Sequence, residues 1–388
     1  MKTLILLLLV ALCAASKTRG TRQILLAESP SAFFRAPDSG FCDELKDVTL
    51  DYRTSSYDFT VKLFQNIMKS NAHVVVSPYS VWRSLAALAE GADPGAQQKL
   101  FEILRLPNDP CTRQKYYAIM NQLLVPGDDV KITNKRTLFI DEDLSINQNW
   151  LSTVFKYSML DIATSPIRKY PSIAGNQMRQ IMSAPLRRLN LNGNSVILDS
   201  IECNALWTTA FADAIIQRAP FYDQIGQKLG SVDLMTVKRK VKMVYVPVMN
   251  MKVVELPVGI NSRYRIIMGL ILSKDNNILP LVNKMTTPFL FEMLDNLKET
   301  KIPIDVAIPR FTLTSEIDVR SILEDMGLSD LWIDPAATRY TSYNASTGLD
   351  PILGTDFIAN KPFLFSIMDA ETYSCLLAVA YSQPTYKY

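Results

Sequence analysis

A single histidine, His73, limits the acid–base chemistry that this chain of 388 residues could perform. A Ser-His-Asp type of nucleophilic site would have to be built around it, because the imidazole is the base of such a triad. The chain has no Gly-x-Ser-x-Gly sequence to supply the nucleophile, and His73 opens an apolar run, residues 73–76, that is typical of a strand entering the core. We therefore predict a structural or surface histidine, no catalytic residues and no enzymatic activity.

Residues 1–16 have the features of a secretory signal peptide: a positive start at Lys2, an apolar stretch over residues 4–12 and small residues over 13–16. The apolar stretch is too short to span a bilayer, and no later run of about 20 apolar residues exists, as a membrane helix would need. We expect a secreted, extracellular protein without a membrane span. The net charge of +3 and the lack of a dense basic tract with interleaved aromatic residues give no reason to expect nucleic acid binding.

Four cysteines remain after the signal peptide, and none stands in a C-x-x-C pair: Cys42, Cys111, Cys203 and Cys375. In an oxidising compartment an even number permits up to two disulfides, in any of three connectivities. The apolar surroundings of Cys203 and Cys375 are equally consistent with buried free thiols. The spacing gives no support to a metal site, and we predict neither a metal nor a cofactor.

A stretch from Ile333 to Thr355 has the composition of a long exposed loop, with Pro335, Asn344 and Gly354 among its turn-forming residues. Loops longer than about 12–15 residues are uncommon unless they are functional or disordered, and binding residues concentrate on loops carried by a rigid scaffold. We therefore expect this loop to be the binding region.

Two further surface features could carry a modification or a ligand. Asn344-Ala345-Ser346 is an N-glycosylation sequon, and on a turn-rich loop of a secreted protein we expect it to carry a glycan. Lys238-Arg239-Lys240 with Lys242 could bind a sulfated polysaccharide, or could be the solvated face of a strand. Arg339 is the basic residue of the loop that a trypsin-like protease could recognise.

The order of helix-like and strand-like segments indicates an α+β fold. Ser77-Pro78 opens a helix that ends near Gly91, with Ser at the N-cap and Pro at the first helical position. The chain closes with two predicted strands, residues 363–368 and 374–380. Helices concentrate early and strands late, without βαβ alternation. After a polar extension, residues 17–53, we predict one domain over residues 54–388.

Four segments, in this order, resemble the serpin family. They are Ser77–Ser80; Asn204-Ala205 with Trp207–Phe211; Val306–Phe311 followed by Gly327–Trp332; and Phe357–Phe365. Each motif alone is weak, but the four together keep the family order over residues 57–384. The resemblance implies a serpin fold, with helices mostly in the N-terminal half around large mixed and antiparallel sheets and an exposed loop near the C-terminus.

The resemblance also implies a mechanism and a set of residues. In a serpin the target protease cleaves the exposed loop and is trapped as an acyl-enzyme, while the N-terminal part of the loop inserts as a new strand in the largest sheet. Ser77, Ser80 and Asn204 match the polar cluster beneath that sheet, the shutter, although helix capping and ordinary buried hydrogen bonds would explain them as well. Trp207 matches the breach, where the inserting strand enters.

This sequence departs from the family in the loop. Counted back from Lys361-Pro362-Phe363, the cleaved bond would fall near Asp350, Pro351 and Ile352, and proline beside a scissile bond makes a poor substrate. Arg339, Tyr340 and Tyr343 stand where small hinge residues are expected. The two dozen or so residues between Trp332 and Phe357 must also hold a strand of the sheet. At about 3.3 Å per residue they cannot supply that strand, an inserting arm and a return path.

We therefore predict a secreted serpin-like glycoprotein that is non-inhibitory, acts as a monomer and binds extracellularly through its scaffold and loop. Its partner would be an extracellular serine protease or a receptor. One alternative is a serine protease inhibitor or decoy substrate that uses residues 339–352. Another is a carrier of a small hydrophobic ligand, which an apolar pocket would support. Divergent secreted serpins of insect extracellular fluids, including seminal fluid, are similar in a loose way that concerns source rather than mechanism.

Overall fold

The computed structural model describes residues 47–70, 73–124, 130–183, 186, 189, 191, 193–205, 211, 214–258, 263–272, 274, 278–311, 313–315, 317–329, 339–347 and 357–387. The helices of these ranges are α1 (Thr49–Met68), α2 (Pro78–Ala89), α3 (Pro94–Leu104), α4 (Pro110–Gln122), α5 (Gln148–Lys156), α6 (Pro171–Met182), α7 (Leu279–Val282), α8 (Thr287–Asp295) and α9 (Arg320–Leu323).

The strands of the same ranges follow in larger number through the second half. They are β1 (Val74–Val76), β2 (Val130–Asp141), β3 (Asp161–Ser165), β4 (Ser195–Ala205), β5 (Ile215–Tyr222), β6 (Lys228–Arg239), β7 (Lys242–Val246), β8 (Met251–Pro257), β9 (Tyr264–Ile271), β10 (Lys298–Glu299), β11 (Ile304–Arg310), β12 (Leu313–Ser315), β13 (Arg339–Thr347), β14 (Phe357–Ile358), β15 (Phe363–Asp369) and β16 (Cys375–Tyr381). Helices early and strands late confirm the predicted α+β class.

Capping chemistry fixes where several helices begin. Ser77 accepts a hydrogen bond from the Ser80 N–H at 3.2 Å, and Pro78 follows it as the first residue of α2. A side-chain oxygen accepts backbone N–H groups at the start of four more helices in the same way: Asp93, Asp109, Asn147 and Thr286. These contacts satisfy N–H groups that the helix leaves without partners, and they confirm the predicted start of α2.

The strands form three sheets. Sheet 1 has the order β1-β16-β15-β9-β8-β7-β10, sheet 2 the order β14-β11-β6-β5, and sheet 3 the order β12-β13-β4-β2-β3. Most of the buried apolar side chains belong to one continuous core, which α1 and α2 share with sheet 1. Among the helices of the described ranges, none combines the length and the apolar content needed to cross a membrane.

The folded domain begins earlier than the sequence predicted. Helix α1 starts at Thr49, so that residues 49–53 belong to the domain rather than to the polar extension. The reason is aromatic packing, because the buried Tyr52 ring meets Trp82 and Tyr116 edge-on, with ring centroids 5.9 and 5.4 Å apart. Edge-to-face pairs of this kind stabilise a core beyond their buried area, which secures the first turns of α1.

The structure differs from the predicted loop in the stretch from 333 to 355. Residues 339–347 form β13, an internal strand of sheet 3 that pairs with β12 on one side and β4 on the other. Tyr and Thr favour strands, and both edges of this segment find backbone partners. Turn-forming residues therefore did not prevent a strand here, and fewer residues are left for the loop than the sequence suggested.

Candidate functional site

Strands β4 and β13 meet directly and run parallel. Their register takes Arg339 opposite Val196 and Ser346 opposite Glu202, with one irregularity between Arg339 and Thr341. Parallel neighbours in one sheet need a crossover between them along the chain, and here that crossover includes β5, β6 and β11 of sheet 2 and β7–β10 of sheet 1. In this β4–β13 pairing, which we call the joint, two distant parts of the chain become neighbouring strands of sheet 3.

A short connection leaves the joint. Strand β13 ends at Thr347 and β14 begins at Phe357, so nine residues, 348–356, link them. Strand β14 is fixed at the far end of this connection, because Phe357 and Ile358 pair in parallel with Val306 and Ala307 of β11. The predicted cleavage residues Asp350, Pro351 and Ile352 belong to these nine and lie outside the described residues.

The other residues that the sequence assigned to the loop are in β13. Arg339, Tyr340, Tyr343 and Asn344 are strand residues of sheet 3, and Asn344 stands opposite Ser200 of β4. The argument for a glycan relied on an exposed turn at Asn344. An internal strand is not such a turn, so this support for the modification is lost.

A buried polar cluster lies beneath the joint, at the start of α2. The Ser77 hydroxyl donates to the Leu376 carbonyl at 2.7 Å, which ties α2 to β16. Ser80 is fully buried beside Asp199 of β4, whose side chain is 1% exposed. The sequence placed Asn204 in this cluster, but Asn204 lies five residues further along β4 and only its backbone is described. Asp199 is the residue that the sequence reasoning missed.

The Asp199 carboxyl group is held by a chain of polar side chains. Asn134 Nδ2 donates to Asp199 Oδ1 at 2.7 Å, and Arg136 Nη1 donates to Asn134 Oδ1 at 2.6 Å. Burial raises the pKa of Asp199 to about 7, against the opposing effects of Arg136, Asn134, Ser80 and Arg83. Its second oxygen, Oδ2, has no hydrogen-bond partner among the described residues.

An apolar cavity of about 100 Å³ lies on the opposite side of the core, between α1, α8 and the inner face of sheet 1. Its walls come from α1, the α7–α8 segment and four central strands of sheet 1, β8, β9, β15 and β16. Phe64, Leu294, Phe365 and Val379 are representative wall residues. Ligand sites in proteins are typically such apolar cavities with a small number of polar groups.

Few polar groups face this cavity. Gln65 belongs to its wall and donates through Nε2 to the carbonyls of Val282 and Met285, at 3.1 and 3.0 Å, which fastens α1 to the segment around α7. Tyr57 is fully buried in the wall, and its hydroxyl has no hydrogen-bond partner among the described residues. Cys375 is also a wall residue and is a buried free thiol, whose pKa burial raises to about 12.

The chain matches the family model for Serpin (serine protease inhibitor) over residues 54–344. The protein belongs to the serpin family. An uncharacterised serpin-like protein of Methanosarcina mazei is 21% identical over 384 residues, which cover 88% of each chain. Plasminogen activator inhibitor 1 of Mus musculus is 22% identical and covers 74% of this chain and 75% of its own. Human thyroxine-binding globulin in complex with thyroxine has a similar fold, with a TM-score of 0.75 at 15% identity over 87% of this chain and all of that chain.

The strand that the resemblance placed before the loop lies in sheet 3, which has five strands among the described residues, and not in the seven-stranded sheet 1. That strand is β13, and its direct pairing with β4 shows sheet 3 without an inserted strand between them. The breach-like Trp207 lies outside the described residues, and so do residues 1–16, which the sequence predicts to be a signal peptide, and residues 17–46. The motif near Phe357 lies in β14 and at the start of β15.

The sequence also singled out His73 and the lysines near the end of β6. His73 Nδ1 accepts the Ser382 N–H at 3.1 Å, and its ring packs on Tyr381. Lys238 and Lys240 are exposed at the end of β6, and Lys242 pairs with Glu255 at 2.9 Å. The exposure of Lys238 and Lys240 fits both predictions, a solvated strand face and a polysaccharide site.

Proposed function

We propose that this serpin is a secreted binding protein that does not trap proteases. The observation that carries this proposal is the nine-residue connection between β13 and β14. Inhibition by the family mechanism needs part of the loop to insert beside β13, in the gap between β13 and β4. The connection is too short to supply an inserted strand as long as β13.

Whether the connection can insert depends on how long a strand it could form. A strand that matched the nine residues of β13 would extend about 27 Å back along it. A reversal of direction takes at least about two residues, so even cleavage at the very end of the connection would leave about seven residues to insert. Cleavage between Asp350 and Pro351 would leave three residues, and therefore about one after the turn.

Other features support the extracellular part of the proposal. Cys111 forms a disulfide bond, with a partner side chain outside the described part of the chain. Disulfides persist mainly in oxidising compartments, which agrees with the signal-like residues 1–16. The partner would be an extracellular serine protease, bound without covalent trapping, or a receptor, and the protein would act as a monomer.

A carrier of a small hydrophobic ligand is the second candidate, and the cavity favours it. The relatives include a protein named as an inhibitor and a globulin solved with thyroxine, so the family supports both kinds of function. The described walls of the cavity come from α1, the α7–α8 segment and sheet 1, and none of them belongs to sheet 3, where the loop would insert. Ligand carriage would therefore be compatible with the loss of inhibition.

The test is an incubation of the purified protein with trypsin-, chymotrypsin- and elastase-like proteases, followed by denaturing electrophoresis. We expect either no reaction or cleavage within residues 348–356, without a covalent complex. A serpin that traps its target protease covalently is the positive control, because it shows that the assay detects trapping. A complex that resists denaturation would contradict the proposal.

A further inference from the structure

We propose that the bonded partner of Cys111 is Cys42, so that a disulfide anchors the N-terminal extension, residues 17–46, beside the first turn of α4. This inference goes beyond the proposed binding function, because it assigns a covalent bond that ties the extension to the folded domain. It rests on the inventory of cysteines and on three features of the described residues.

The inventory leaves two candidates for the partner. Cys111 is disulfide-bonded, whereas Cys375 is a buried free thiol. Cys13 belongs to the predicted signal peptide and would be absent from the mature protein. The chain has five cysteines, so the partner is either Cys42 or Cys203.

The first feature is that the start of α1 lies against α4 on the side of Cys111. Hydrogen bonds with Thr49 lower the pKa of Asp47, and the Lys115 ammonium lowers it as well, so Lys115 lies within electrostatic range of Asp47. Lys115 follows Cys111 by four residues on α4, and positions four apart share one face of a helix. Cys111 therefore faces the side of α4 on which the chain enters α1.

The second feature is reach. Cys42 precedes Asp47 by five residues, and five extended residues span up to about 17 Å. Lys115 lies only about 6 Å along the helix axis from Cys111, and the Cα atoms of a disulfide are about 4.4–6.8 Å apart. Five residues therefore suffice to bring Cys42 to Cys111.

The third feature is that Cys203 lies at the other end of sheet 3. Cys203 stands opposite Ile132 of β2, nine residues before β2 ends at Asp141. Strands β2 and β3 are parallel neighbours, so the helix between them, α5, must return from the Asp141 end to the start of β3. The contacts of α5 therefore show which parts of the core lie at which end of β2.

Two hydrogen bonds align α2 with α5. Near the start of α5, Trp150 Nε1 donates to the Ala87 carbonyl, close to the C-terminal end of α2, at 2.8 Å. Just after the end of α5, the Ser158 carbonyl accepts a hydrogen bond from Arg83, which lies earlier in α2. The C-terminal end of α2 is thus at the Asp141 end of β2.

An ion pair connects that end of α2 to the surroundings of Cys111. Glu90, the last residue of α2's cap, accepts from Arg113 Nε at 2.8 Å, and Arg113 follows Cys111 by two residues. Nine residues of strand, about 30 Å, separate this end of β2 from the level of Cys203. The Cα atoms of a disulfide are at most about 7 Å apart, so Cys203 is excluded and Cys42 remains.

The bond would form by thiol–disulfide exchange in an oxidising compartment. The thiols of Cys42 and Cys111 lose two protons and two electrons to the disulfide of an oxidant, a protein disulfide or oxidised glutathione, which becomes two thiols. The anchor lies at the opposite end of sheet 3 from the nine-residue connection, because β13 reaches Ser346 opposite Glu202, next to Cys203. A partner held by the extension would therefore leave that connection free.

The experiment maps the disulfides of the full chain, secreted from eukaryotic cells, by mass spectrometry after alkylation in denaturant without reduction. Trypsin places the three cysteines in separate peptides, residues 36–46, 106–113 and 189–218. We expect peptide 36–46 linked to peptide 106–113, release of both on reduction, and an alkylated Cys203. A link from peptide 106–113 to peptide 189–218 or to Cys13, or an alkylated Cys111, would overturn the proposal.

Matched variants test the anchor in the folded protein. Dithiothreitol should lower the melting temperature of the wild-type protein by about 5 °C, since a disulfide restricts the unfolded chain. It should leave Cys42→Ser and Cys111→Ser unchanged, because neither variant has the bond. Cys203→Ser is the control, which should keep the wild-type response. A response that is kept in Cys42→Ser and lost in Cys203→Ser, or that is absent from the wild-type protein, would contradict the anchor.

Discussion

At the scale of single residues, Asp199 is the most informative side chain, because its carboxyl group is buried in β4, the strand that pairs with β13. Burial raises its pKa to about 7, above the ordinary value near 3.9 that the unfolded chain would have. A raised pKa means that the folded state binds the proton more tightly. The contribution of Asp199 to stability is therefore full below pH 4 and is lost as pH rises through 7.

Asp199→Asn removes this titration and keeps the size and the capacity to hydrogen bond. We expect the variant to gain stability over the wild-type protein as pH rises from 5 to 8, by about 1–3 kcal/mol. The measurement is urea unfolding at both pH values. Asp305→Asn is the control, since Asp305 is exposed on β11 and loses the same charge. A stability difference that is equal at pH 5 and pH 8 would contradict the role of Asp199.

The sequence contains a signal that marks Asp199 as buried. Asp199 interrupts the run Ser195–Ile201, which is otherwise apolar apart from serine. A lone carboxylate in an apolar strand implies a buried partner. The resemblance directed attention to Asn204 because asparagine suited the expected cluster.

At the scale of elements, two glycines of helical segments should respond to alanine in opposite directions. Gly327 lies in the π-helical turn Glu324–Leu328 after α9, with φ at +97°, in the left-handed region. Gly175 lies within α6 and has ordinary helical geometry, where an added Cβ would come no closer than 3.4 Å, to the flexible end of Arg179.

We expect Gly327→Ala to lower the free energy of unfolding by about 1–2 kcal/mol, because a side chain in this conformation is strained. Gly175→Ala should be neutral or raise it by up to about 1 kcal/mol, through helix propensity. The measurement is chemical unfolding of both variants beside the wild-type protein. Equal destabilisation by the two substitutions would show that backbone conformation is not the cause.

Elements with strong local signals were predictable. The last two strands were predicted at 363–368 and 374–380, and they are found at Phe363–Asp369 and Cys375–Tyr381. The Ser77-Pro78 helix start was confirmed by its capping bond. Strand β13 was expected only from the family resemblance and was not located, because its sequence has no alternating apolar pattern. It is held by backbone pairing to β12 and β4, and tertiary pairing of this kind leaves no local trace.

At the scale of the whole molecule, the family order of motifs made the serpin fold predictable, whereas the cavity was not. Its walls come from α1, the α7–α8 segment and four strands, which are far apart along the chain. The disulfide was foreseen only as a possibility: Cys111 is bonded and Cys375 is a buried free thiol. The proposed function also depends on more than the local sequence. The length of the connection is known only once both flanking strands, β13 and β14, have been located.

The most direct test of the central claim is the melting temperature of the protein before and after proteolytic cleavage within residues 348–356, with the cleavage site confirmed by mass spectrometry. Insertion of a loop would add a strand to sheet 3 and raise the melting temperature greatly, since stored strain would be released. Because about seven residues at most could insert, we expect the cleaved protein to melt within a few degrees of the intact one. A large rise would show that sheet 3 accepts the loop and would contradict the non-inhibitory account.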